Sequence, residues 1–279
     1  MLLRPFFILP FLLTSLTGLI SCNSALAQTT ESGASRIAPA LKEPDLPRTL
    51  ELSAGFQNLS VGFGDWRDVT LRGTYGLPSH VLQGELSLNR RFNKDGVFVG
   101  LSDTYTFNED WYASLAVGFG DGAFYLPRYR LDATLYKKWL PQRNMVTSIG
   151  AGQYKAPDGH TDNSLSLGLV YYFDTPFIAE AGVRLNSSNP GAIKTQQQFL
   201  ALTYGRVKQD LVTVRHGWGQ EGYQTIAANT QLVNFASKET SISWRHWFAP
   251  RTGVLLGASR YTNPFYNRNG LTVGLFHDF

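Results

Sequence analysis

Leu82-Gln83-Gly84-Glu85-Leu86-Ser87-Leu88-Asn89 alternates along its whole length. Leu82, Leu86 and Leu88 fall on one side with Gly84, and Gln83, Glu85, Ser87 and Asn89 fall on the other. Successive side chains of an extended chain point to opposite faces, so this segment reads as a strand with one greasy face and one wet face. The pattern recurs to either side. Leu50, Leu52, Ala54 and Phe56 share a face, while Leu131, Ala133 and Leu135 alternate with Arg130, Asp132, Thr134 and Tyr136. Leu165, Leu167, Leu169, Tyr171 and Phe173 alternate with Ser166, Gly168 and Tyr172, and Phe177, Ala179, Ala181, Val183 and Leu185 oppose Glu180, Arg184 and Asn186. Such segments, separated by turn residues, continue from Leu50 to the last residue. They predict one all-β domain of about fourteen antiparallel strands, with about twelve as the alternative, and the weakest alternation at 59–75, 97–107 and 145–154.

The ends and the composition say where such a domain belongs. Arg4, an apolar run over 6–20 and Ser24-Ala25-Leu26-Ala27-Gln28 have the order of a secretory signal peptide, which predicts removal of 1–27. Pro10, Thr14, Ser15 and Thr17 break the run, which falls short of the roughly 20 apolar residues of a spanning helix. Cys22, in Leu19-Ile20-Ser21-Cys22, loosely resembles a lipoprotein cleavage box. Cleavage after Ala27 discards this single cysteine, and with it any disulfide or thiolate metal site. Residues 28–48, rich in Thr, Ser, Ala and Pro, read as a flexible periplasmic lead-in, and 49–279 as the barrel. Charged residues make up 16% of the chain, below the roughly 25% of soluble domains. Mean hydropathy is nevertheless negative, and no later stretch could form a spanning helix. A membrane location therefore requires strands. The net charge of +4 comes from scattered Lys and Arg residues and carries no nucleic-acid signature. A mildly basic rim would suit the anionic sugars and phosphates of an outer leaflet, and solvated loops account for it equally.

Hydrocarbon offers no hydrogen-bond partner to the backbone, so strands cross it only when their sheet closes on itself. Tight connections at 108–110, 174–176 and 249–251 contrast with longer polar ones at 120–127, 155–163, 187–194, 219–237 and 262–269. This predicts short periplasmic turns and long outer loops. Trp111, Trp139, Trp244 and Trp247 near tight turns, with Trp66, Trp218, Tyr154 and Tyr261 near opposite strand ends, are expected to form two interfacial girdles. Aromatic rings filling a soluble core are the alternative. Asp103 falls on an apolar parity, and a bulge near Ser102 is expected to turn it inward. Lys137 also points to lipid, close enough to a turn to snorkel. In the last strand Leu271, Val273, Leu275 and Phe279 share a face, the form of the terminal signal read by the barrel assembly machinery.

Three stretches carry a further likeness: Asn108-Glu109-Asp110-Trp111, Tyr129-Arg130-Leu131-Asp132, and Ser241-Ile242-Ser243-Trp244-Arg245 through Gly253-Val254-Leu255-Leu256-Gly257 to Phe279. Through them, and over about 50–279, the chain resembles the YaiO-type outer-membrane β-barrel family. The resemblance implies a bacterial outer-membrane location and a barrel fold, and it brings no catalytic residues. Parity points Arg72, Glu85, Arg130, Asp132, Glu180, Arg184, Arg215 and Arg245 into the lumen, where charges need partners or water. Two functions follow: a narrow pore or export conduit for a small polar or anionic solute, or a non-conducting structural or surface barrel. A lipid A modifying enzyme comes third, because no nucleophile elbow, P-loop, dinucleotide or zinc motif is present. His160 beside Asp158 and Asp162 is more simply turn chemistry, His80 reads as a turn residue, and His216 and His246 read as lipid-facing. No cofactor or metal is expected. The expected partners are outer-membrane lipids, lipopolysaccharide and the assembly machinery.

Overall fold

The alternating segments form fourteen strands: β1 (Arg48–Leu59), β2 (Asp65–Gly76), β3 (His80–Arg91), β4 (Lys94–Thr106), β5 (Trp111–Gly120), β6 (Tyr129–Trp139) and β7 (Met145–Lys155), followed by β8 (Thr161–Tyr172), β9 (Phe177–Asn189), β10 (Ile193–Gly205), β11 (Asp210–Ala227), β12 (Thr230–Ala249), β13 (Thr252–Thr262) and β14 (Asn267–Asp278). The computed structural model describes residues 46–228 and 230–279. The expected leader, its cleavage site, Cys22 and residues 28–45 of the lead-in lie outside the described residues. Every strand pairs antiparallel with its sequence neighbours, and β1 closes on β14 from Thr49↔Asp278 to Leu59↔Arg268. The ring leaves no sheet edge, as backbone in hydrocarbon demands.

Polarity across the wall is the reverse of a soluble protein's. Leu86, Leu167 and Leu271 point outward at 42%, 47% and 66% exposure, while Thr70 and Ser87 are buried inside with their hydroxyls 2.8 Å apart. An outward apolar surface of this extent is stable only against lipid. We call the end carrying Arg48 and Phe279 the floor and the opposite end the mouth.

Connections are not sorted by length. At the mouth β3 and β4 meet through Phe92 and Asn93, both at positive φ (50° and 60°), as a two-residue hairpin turn requires. Residues 187–194 hold only a short turn at 190–192 between β9 and β10. The long loop expected at 219–237 is instead the outer half of β11 and β12, paired out to Ala227↔Thr230. Beyond the bilayer a strand needs partners but no greasy face, so its polar sequence there resembles a loop.

Two further expectations are corrected. The β3–β4 and β4–β5 registers run unbroken past Ser102, so no bulge turns Asp103 inward. It stays outward near the floor, hydrogen-bonded at 2.8 Å to Nδ1 of His80, which opens β3 and is not a turn residue. A local partner replaces the bulge. Among the expected girdle residues, Trp66, Tyr261 and Trp247 are buried (1%, 6% and 8% exposed), because they share parity with the inward residues of their strands. Trp111, Trp139 and Trp244 do face outward near the floor, and the Lys137 ammonium lies 3.7 Å from the centre of the Trp139 ring.

Candidate functional site

The polar positions of the strands line the interior, and their charges are organised along its walls. On one wall Arg72 donates to Glu85 at 2.8 Å and to Glu51 at 3.1 Å, and Arg245 reaches the other Glu51 oxygen at 3.0 Å. The result is a continuous Glu85–Arg72–Glu51–Arg245 relay over β3, β2, β1 and β12. Arg245 also stands 3.7 Å over Phe276. On the opposite wall Arg130 pairs with Asp132, and Arg184 donates to the Ser164 hydroxyl at 2.7 Å. Arg215 lies 3.7 Å over the Phe199 ring, near enough to attract Glu180. A side chain on Gly182 would run into Phe199, so this glycine lets the ring lie flat beneath Arg215. The eight charges named from parity are all buried or half-buried here, and Glu51 joins them as the hub of the relay.

Aromatic layers narrow the interior at both ends. Near the floor Tyr112 and Tyr136 stack 4.4 Å apart beside Val146, and Leu211, Trp247 and Phe276 pack on the other side. At the mouth Leu59, Trp66, Tyr261 and Tyr266 form a second cluster. The connection 121–128 tucks Ala123, Tyr125 and Leu126 into the mouth, where the Tyr125 hydroxyl lies 3.1 Å from the carbonyls of Asn89 and Lys94.

The extended β11–β12 hairpin leans over the same opening. Gln231 donates to Asp158 at 2.6 Å, the His160 and Tyr223 rings lie 4.1 Å apart, and the Tyr223 hydroxyl donates to the Pro190 carbonyl at 2.6 Å. On the far side Leu232 packs against the Trp66 cluster and Gln224 donates to Tyr266. Asp158 and His160 are therefore a tie point for this flap, 2.8 Å from each other. Among the described residues no His, Cys, Asp and Glu grouping could hold a metal ion.

Burial at Asp158 pushes its carboxyl up, but the backbone and imidazole N–H of His160 and the amide of Gln231 outweigh that and hold it below its ordinary value. A depressed carboxyl contributes stability above its unfolded pKa and loses it as pH falls through the folded one. The flap should therefore stay tied at neutral pH and loosen only below about pH 4. Limited proteolysis between Gly219 and Ser237 checks this: cleavage should rise sharply in acid, and Asp158→Ala should give the same rise at pH 7. Equal cleavage of wild type and variant at pH 7 would show that Asp158 does not hold the flap.

Comparison with known proteins supports the fold. The model of the YaiO membrane beta barrel domain matches residues 47–224. Among solved structures the chain is similar to the CymD monoaromatic hydrocarbon channel, with TM-score 0.58 and 8% identity over 84% of this chain and 88% of that one. Omp33 of Acinetobacter baumannii gives TM-score 0.53 and 12% identity over 84% of this chain and 100% of its own. The toluene transporter TodX of P. putida gives TM-score 0.53 and 8% identity over 84% and 90%. At these identities the likeness is one of fold. No curated protein matches the chain in sequence.

Proposed function

This chain belongs to the YaiO membrane β-barrel family of the bacterial outer membrane, and from that premise we propose that it is a narrow, gated conduit for a small polar or anionic solute. The state described here has its lumen narrowed by its own side chains. The observation that carries the reading is the choice of lumen residues. Charges withdrawn from water are expensive, and buried ion pairs are often no more stable than apolar packing of the same volume. A barrel that only had to fill its interior would be served better by Leu, Val and Phe. The inward face instead holds Arg72, Arg130, Arg184, Arg215 and Arg245 against Glu51, Glu85, Asp132 and Glu180, the furniture of a path for polar cargo. The cargoes named for CymD and TodX are apolar and do not suit this lining.

Planar-bilayer recording tests the proposal. We expect small, intermittent conductance with anion preference, and a shift of reversal potential toward cations in the Arg130→Glu/Arg184→Glu variant. Electrical silence of correctly folded protein would reject the conduit and leave the structural barrel, which the aromatic layers at floor and mouth favour. The outward Leu271, Val273, Leu275 and Phe279, on one face of the last strand, support recognition by the barrel assembly machinery. The outward leucines support contact with outer-membrane lipids, and the flap and mouth connections would meet lipopolysaccharide.

A further inference from the structure

Among the described residues, three buried donor atoms near the mouth lack an acceptor. Trp66, Arg268 and Arg91 are almost fully buried, and Trp66 Nε1, Arg268 Nε and Arg91 Nη1 have no hydrogen-bond partner among the described residues. They form one cluster. The guanidinium carbons of Arg91 and Arg268 lie 4.8 and 4.7 Å from the centre of the Trp66 ring, and the two charges repel each other. Trp66 comes from β2, Arg91 from the end of β3 and Arg268 from β14, so barrel closure assembles the group.

Carboxylates nearby engage only part of it. Arg268 donates from Nη2 to Glu239 at 3.2 Å, and Asp68 attracts Arg91 through space. Glu221 attracts Arg268 through space, and rings complete the surroundings: Tyr125 is 5.6 Å from Arg91 and Tyr261 is 4.5 Å from Arg268. A ring face steadies a guanidinium without consuming its N–H groups, which lie in the guanidinium plane. Most buried donors in native proteins are satisfied, so three unpartnered donor atoms from residues gathered at one ring make a group suited to receive an acceptor.

We infer that Arg91, Arg268 and the Trp66 indole N–H form a binding site for one small oxyanion, the carboxylate or phosphate group of a polar solute. The donors face inward behind the barrel wall, so the ligand comes from the lumen and not from a lipid headgroup. The site stands whether or not the barrel conducts.

Calorimetric titration of the full mature chain in uncharged detergent tests it, with inorganic phosphate and acetate as probes in separate arms and chloride holding ionic strength constant. Saturable one-site binding is expected for at least one probe. Arg91→Met and Arg268→Met should each weaken it about tenfold or more. Trp66→Phe, which keeps a ring and removes only the N–H, should weaken it severalfold. Arg90→Met should leave it unchanged, since Arg90 is exposed and paired with Asp95 at 2.8 Å. If Arg91→Met does not fold, Arg91→Lys carries the test: it keeps the charge, loses the fork, and should still bind more weakly. Absence of saturable binding to wild type, or binding indifferent to Arg91, overturns the site. Intact binding with silent bilayers would reject the conduit alone.

Discussion

Glu51→Leu should destabilise the barrel by about 3 kcal/mol or more, the usual consequence of leaving a buried charge without its partner. Arg72 keeps Glu85 at 2.8 Å after the change, but Arg245 has Glu51 as its ion-pair partner, and its side chain is only 9% exposed. It would be left against Phe276 and Trp247, with Nε already lacking a partner among the described residues. Urea unfolding in lipid vesicles should show a lower midpoint with an unchanged slope. Adding Arg245→Met should recover much of the loss, because it removes the stranded charge. The outcome bears on function as well as stability. A neutral Glu51→Leu would mean that water reaches Arg245, and the interior would then be wetter and wider than its side-chain packing indicates.

Parity made most of this molecule legible and also set the limit of what could be read. Leu82, Leu86 and Leu88 against Gln83, Glu85 and Ser87 suffice to give strand, faces and environment, because the bilayer enforces period two on every residue that crosses it. Glu51 lies between Leu50 and Leu52, so the same rule points it inward. Its central place in the relay depends on β1 meeting β14, a long-range closure that no local pattern encodes. Trp66 invites an interfacial reading by residue type, yet its parity with Asp68 and Thr70 puts it inside. Arg91 and Arg268 lie at mouth ends of strands, where the wall no longer faces hydrocarbon and alternation fades. The oxyanion site drawn from them is thus the part least visible in the sequence. The β11–β12 flap was hidden for the same reason: outside the membrane, polar residues on both faces of a paired hairpin look like those of a loop.

Leu167→Arg should cost about 2–4 kcal/mol, and Leu50→Arg no more than about 1 kcal/mol, although both leucines are nearly half exposed on the bare protein. The difference comes from depth. Leu167 sits midway along β8, registered against Ile149 and Val183, so an arginine there would have to reach through half the hydrocarbon to find water. Leu50 follows closely on Arg48 at the floor, where a guanidinium can snorkel to the interface within its own length. Refolding into vesicles, followed by the urea midpoint of each variant, measures the contrast. For a protein whose outward face met water, both changes would be ordinary surface substitutions within about 0.5 kcal/mol. Two small and equal effects would therefore contradict the transmembrane assignment itself, because the penalty at Leu167 arises from lipid and from nothing within the barrel.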